Sequence, residues 1–269
     1  MGAIITRNRS NAISWRVNAE RIVLFGWARA ILLQIAHPLV AAAVAEHSSF
    51  RQGALDPVLR LHHTVKAMLS LTFGDESHQN TTLARINALH KTIHGTLKET
   101  AGPFGPGARY SAEDPALLLW VHATLLESIP LAYEALVGPL TERDRDRYCE
   151  EAASIAEALG VVDRPIPRSS AAVTAYIDAM YASGEIVVSH TARDLAHKVL
   201  RPPLWWMVWP ASRLNTLVTV GLLPHRIREQ YGFAWTAADQ RALERWTHRI
   251  RASRRFAPDA LALWRQARG

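Results

Sequence analysis

The chain has 269 residues, of which 49% are apolar and 20% charged, enough for a sizeable buried core and inconsistent with wholesale disorder. A single cysteine, Cys149, excludes an internal disulfide, a cysteine-rich zinc site and an iron–sulfur cluster within one chain, and suits a reducing compartment. The formal net charge is +7, yet residues 241–269 carry eight Arg against Glu244 and Asp259, so the body is close to neutral and no nucleic-acid partner is expected.

In chain order, the N-terminus lacks the charged, apolar, small-residue order of a secretory signal, so the expected location is cytoplasmic. The apolar stretch Ile22–Val44 is interrupted by Arg29, Gln34, His37 and Pro38 and reads as buried helix rather than a membrane span. Asp56-Pro57 opens a helix, with Val58, Leu61, Val65, Met68 and Leu69 at helical spacing. Phe73-Gly74 stops it, and Asp75 to Ser77 starts another that the pattern carries to about Leu97. A Gly/Pro loop covers 102–107, and Asp114-Pro115 then precedes the apolar run Leu117 to Leu126. Thr141 to Asp144 and Thr236 to Asp239 read as capping boxes, the second opening a helix through about Ser253.

Pro203–Pro224 holds Trp205, Trp206 and Trp209 beside Arg201 and Arg213, which leaves peripheral docking at a membrane interface as an open reading. There is no run of period-2 alternation, no hairpin dipeptide and no internal repeat. The expected fold class is all-α: one domain over residues 1–269 of roughly ten helices, with a core over 20–255 and a basic tail over 241–269. The proline-rich segment Val161–Pro167 is the one candidate hinge.

The chemistry-bearing residues are histidines. Arg60, His63 and Thr64 stand at i, i+3 and i+4, so one helix face presents a guanidinium, an imidazole and a hydroxyl. His90 and His94 are one turn apart on the next expected helix, but no glutamate lies between them, which argues against zinc hydrolysis. His37 precedes Pro38, and His122 sits inside an apolar run where a buried imidazole needs a polar partner or a metal. Such a set is compatible with a haem pocket and equally with part-buried structural histidines. Phosphate loops, dinucleotide fingerprints, nucleophile elbows and covalent Cys-x-x-Cys-His haem attachment are absent, and Cys149 stands beside Glu150-Glu151, where a thiolate would face like charge.

Several motifs together resemble one family: Trp27-Ala28-Arg29 with Leu33 to Pro38, Ala45 to Phe50, Arg60-x-x-x-Thr64, Phe73-Gly74, Leu89-His90-x-x-Ile93-x-Gly95, Tyr110-x-Ala112-x-Asp114-Pro115, Leu119 to Leu125, and Leu222 to Pro224 with Arg228 and Tyr231-Gly232. Their order is similar to that of the catalytic domain shared by bacterial rubber oxygenases and the fungal membrane-bound oxygenase of mycophenolic acid biosynthesis, over about residues 20–255. The resemblance implies an all-α fold with a haem pocket between central helices, a non-covalent haem b, dioxygen as co-substrate, and cleavage of carbon–carbon double bonds.

It implies His90 as the axial ligand, with His94 the second choice, and Arg60 and Thr64 as distal pocket residues. His63 stands where rubber-cleaving members carry a lysine and is either a second ligand or a proton donor. Glu46 matches a distal acidic residue assisting proton movement, and His37 and His122 fit positions of the wider family. The expected substrate is a lipophilic, isoprenoid-like small molecule. A metal-free lipophilic-ligand binder or non-redox enzyme on the same fold is the alternative.

Overall fold

The computed structural model describes residues 12–47, 56–200 and 209–268, with 56–64 and 209–212 described by backbone alone. Thirteen helices lie in this range: α1 (Ile13–Ala19), α2 (Leu24–Ile35), α3 (Pro38–His47), α4 (Asp56–Phe73), α5 (Glu76–His90), α6 (Pro115–Leu136), α7 (Glu142–Ala158), α8 (Ser170–Ala182), α9 (His190–Leu200), α10 (Trp209–Gly221), α11 (His225–Tyr231), α12 (Ala237–Arg254) and α13 (Asp259–Ala262). The fold is all-α, as the sequence indicates, apart from one small two-stranded sheet. The count exceeds ten because α1, α11 and α13 run only 7, 7 and 4 residues, too short to show a period.

The core is built on α6. Its buried residues run almost continuously from Leu117 to Leu136, so it is apolar all round and belongs inside the molecule. Asp114 caps it by accepting from the Ala116 amide, with Pro115 following at the first helical position. α2 crosses α6 so closely that a Cβ on Gly26 would meet the Ser128 carbonyl oxygen at 2.7 Å and the Ala132 Cβ at 2.9 Å. Leu32, Leu33, Trp120, Ile129 and Leu136 are buried in and around that crossing.

α6 is the one described helix long and apolar enough to cross a membrane, and 67% of its apolar window is buried inside the protein. The Ile22–Val44 stretch resolves into two elements, Arg21–Ile35 and Pro38–His47, bent by 107° at His37-Pro38; only as a pair do they pass the same test. The capping boxes at Thr141/Asp144 and Thr236/Asp239 are both formed. Val161, in the proline-rich segment, packs with Leu118, Leu119 and Ala156.

One expectation fails. The helix that opens at Asp75 does not reach Leu97; α5 ends at His90 and the chain turns through Lys91 and Thr92. Residues His94–Thr96 (β1) pair antiparallel with Arg109–Ser111 (β2), in the register His94 to Ser111 and Thr96 to Arg109. The β-branched Thr92 and Ile93 and the flexible Gly95 weaken helix there, and tertiary pairing with Tyr110 decides the outcome.

Candidate functional site

α4 and α5 form an antiparallel hairpin closed by Gly74 and Asp75. Asp75 caps α5 by accepting from the His78 amide at 2.8 Å. The register is set near the turn, where the Ser70 and Thr82 hydroxyls bond at 2.8 Å and the Gln79 amide donates to the Leu71 carbonyl at 2.7 Å. Continued along two antiparallel helices, that register brings His90, the last residue of α5, level with the Arg60–Thr64 stretch of α4. The backbone at 60–64 and His90 therefore lie at the same, open end of one hairpin. The side chains of Arg60, His63 and Thr64 lie outside the described residues.

His90 is half-buried, and its Nδ1 is enclosed without a hydrogen-bond partner. Burial lowers its pKa below 6.5, opposed by the nearby Glu113 carboxylate. A neutral ring at ordinary pH follows, with lone-pair density available to a ligand. His94 does not share its face: it opens β1, exposed to solvent, because the helix has ended four residues earlier.

Glu46, in the last turn of α3, sits beside this end of the hairpin. Lys98 pairs with its Oε1, and the Tyr110 hydroxyl donates to its Oε2. Together the Lys98 ammonium and the Tyr110 hydroxyl hold the Glu46 carboxyl below the usual carboxylate range, while burial and the same carboxylate push the Tyr110 phenol up. Glu46 is therefore an ionised anchor and Tyr110 keeps its proton. Gly95 makes room for them: a Cβ there would lie 2.5 Å from the Tyr110 hydroxyl oxygen and 3.0 Å from Glu46 Oε2. The neighbouring His47 ring bonds through Nε2 to the His94 carbonyl at 3.1 Å, tying α3 to β1.

His37 and His122 have different surroundings. His37 is 1% exposed at the α2–α3 bend. Its Nδ1 accepts from the Leu39 amide at 3.3 Å, its Nε2 lies 3.6 Å from Glu185 Oε2, and Phe104 packs against the ring. Because Pro38 has no amide hydrogen, this imidazole serves as the cap of α3, and both of its nitrogens face protein groups. His122, on α6, is buried with Nε2 unpartnered. Burial lowers both rings to a pKa of about 4, so both are neutral.

On the other side of α4, a shallow groove open to solvent is lined mainly by apolar side chains, among them Val23, Leu24, Trp27, Met68, Phe73 and Trp264. The face of α4 that enters it carries Val65, Met68, Leu69 and Thr72, the helical continuation of the stripe seen in the sequence. Trp205 and Trp206, read in the sequence as a candidate interfacial cluster, lie outside the described residues, as does the Trp209 side chain.

Sequence reasoning missed three residues that matter here. Lys98 and Tyr110 partner Glu46 across 52 and 64 positions and carry no local signal, although Tyr110 stands in one of the motifs. Arg29 is 2% exposed: its Nε donates to the Leu222 carbonyl at 2.7 Å, and its Nη1 reaches Glu127 at 2.8 Å and the Ser128 hydroxyl at 2.5 Å. That arginine locks α2, α6 and the end of α10 together. Among the described residues, no group of three or more His, Cys, Asp or Glu side chains is disposed to hold a metal ion directly.

A family model described as ER-bound oxygenase mpaB/B'/Rubber oxygenase, catalytic domain, matches residues 15–252. Two mycobacterial relatives, the uncharacterized protein Rv2237 of Mycobacterium tuberculosis and the uncharacterized protein Mb2261 of Mycobacterium bovis, are each 25% identical over 234 residues, covering 85% of this chain and 87% of theirs. No solved structure matches.

Proposed function

The chain belongs to the mpaB/rubber-oxygenase catalytic-domain family, and on that premise we propose that it is a haem b-dependent oxygenase that uses dioxygen on a lipophilic, isoprenoid-like alkene, with His90 as the iron ligand. One observation carries the reading: His90 is a neutral, half-enclosed imidazole with an orphaned buried nitrogen, at the end of the hairpin that also bears Arg60, His63 and Thr64. The donor set suits the group. A haem needs one protein donor rather than an all-protein cage; the single thiol, Cys149, is buried and held protonated, whereas the His90 imidazole is neutral with a free nitrogen.

The bound haem would supply the binding and activation of dioxygen. The chain's own residues then have separable tasks. His90, kept neutral by burial, offers its ring nitrogen without first losing a proton. Glu46 stays ionised between Lys98 and Tyr110, which makes it a weak proton acceptor. Its task is to fix the β1–β2 hairpin against α3 and to hold the Tyr110 proton in place. Arg60, His63 and Thr64 are the residues assigned to polarising the oxygen side of the pocket. The apolar groove between α2 and α4, across α4 from His90, offers an uncharged ligand apolar side chains to dock against.

The test is the absorption spectrum of protein purified from haem-supplemented cells, with the haem quantified. A Soret band is expected, weakened or lost in His90→Ala and retained in His94→Ala. A colourless, folded preparation removes the haem reading and leaves the metal-free lipophilic-ligand alternative. The reverse pattern in the two variants moves the ligand to His94.

A further inference from the structure

The cationic excess and the exposed apolar side chains of this protein coincide. Of the five large apolar side chains most exposed among the described residues, three are Trp246 at 43%, Phe256 at 87% and Leu261 at 71%. They lie within α12, α13 and the turn between them, in the segment that carries eight Arg. Two of those arginines are used internally. Arg251 bonds to the Glu134 and Ala135 carbonyls, and Arg254 pairs with Glu20 at 2.7 Å. The rest point outward: Arg241, Arg245, Arg249, Arg255, Arg265 and Arg268 are exposed, and none has an ion pair among the described residues. Arg249 instead lies over the Trp246 ring, 5.7 Å from its centroid.

We propose that the surface of α12 and α13, from Arg241 to Arg268, docks on an anionic phospholipid bilayer. Guanidinium groups at i, i+4 and i+8 along α12 meet the headgroup charge, while Phe256 and Leu261 enter the acyl boundary. A nucleic-acid backbone would use the arginines alone and leave Phe256 and Leu261 in water, so the bilayer accounts for both features. Asp259 and Glu244 are the acidic groups on this segment, and Glu244 is turned to Gln240. The docking is independent of any chemistry at His90. Trp264, three residues beyond Leu261, lines the α2–α4 groove, so the groove would open beside the membrane, where a lipophilic ligand resides.

Co-sedimentation of the full chain with phosphatidylcholine vesicles, with and without one-third phosphatidylglycerol, reads the proposal directly. Binding is expected to the anionic vesicles only and to fall steeply at half-molar salt. Arg241→Gln/Arg245→Gln/Arg249→Gln should weaken it by on the order of 100-fold. Phe256→Ser, at a position too exposed to disturb folding, should weaken it by roughly tenfold with an unchanged circular dichroism spectrum. The proposal is overturned if anionic vesicles are not bound, if neutral ones are bound equally, or if Phe256→Ser binds like the parent. Tighter binding to duplex DNA than to anionic vesicles overturns it as well.

Discussion

Burial holds His37 and His122 at a pKa of about 4, against 6.5 for the free side chain. Below 6.5 the unfolded chain takes up a proton at each histidine, whereas the folded protein resists until the pH falls through about 4. Between those limits the unfolded state binds more protons, so stability must rise with pH and be lost as pH falls. From these values each histidine removes about 2 kcal/mol between about pH 7.5 and about pH 5, or about 4 kcal/mol for the pair. That is a large part of the 5–15 kcal/mol, roughly, that a domain has.

Urea denaturation followed by far-ultraviolet circular dichroism at several pH values measures it. In His122→Leu the loss should shrink by about 2 kcal/mol, with no penalty at neutral pH because the orphaned Nε2 leaves no partner behind. His37→Leu should also flatten the profile but cost about 1 kcal/mol at neutral pH, since the Leu39 amide loses its acceptor. A His122→Leu profile with the parent's pH slope would refute the reasoning.

Gly95→Ala should break the Tyr110–Glu46 contact and destabilise the protein by about 1–3 kcal/mol in the same assay, because the Cβ would sit 2.5 Å from the phenol oxygen. Unchanged stability would mean that the β1–β2 hairpin moves freely against α3. Arg29→Met should cost about 3–5 kcal/mol by leaving the Leu222 carbonyl and the Ser128 hydroxyl enclosed and Glu127 unpaired; a thermal midpoint equal to the parent's counts against that bridge. Cys149 is 2% exposed with its thiol pushed up to about 12, so a disulfide reagent should modify it only as fast as the protein opens; rapid labelling of the folded protein contradicts its placement.

What the sequence made legible was local. Asp114-Pro115 and the boxes at Thr141 and Thr236 announce helix starts because each device spans four residues or fewer. The all-α class follows from such signals together with the unbroken apolar run of α6. The end of α5 was illegible because strand pairing between His94–Thr96 and Arg109–Ser111 overrides a tolerable helical pattern, and three-residue strands have no period to read. The same limit applies to the site. His90 and Glu46 stand in recognisable motifs, yet Lys98 and Tyr110, which set the charge state of Glu46, declare themselves only when the loop folds back. Arg29 stands in a recognisable motif within a stretch that reads as buried, but its partners Glu127, Ser128 and Leu222 lie 98 to 193 positions away and leave no local trace.

The contact between the last helices and the first has a consequence for biosynthesis. Trp264 donates its amide to the Ala19 carbonyl, Glu20 bridges to Leu263, and Arg254 grips the Glu20 carboxylate from 234 residues away. A ribosome therefore releases α1 long before its partner strand of chain exists. Until residue 254 emerges the Glu20 carboxylate lacks its cation, and until residue 264 emerges the groove beside Trp27 lacks one wall. The α2–α6 crossing can assemble during translation, whereas this wall closes only afterwards, and an interrupted or trimmed product would present an open apolar cleft to chaperones and proteases.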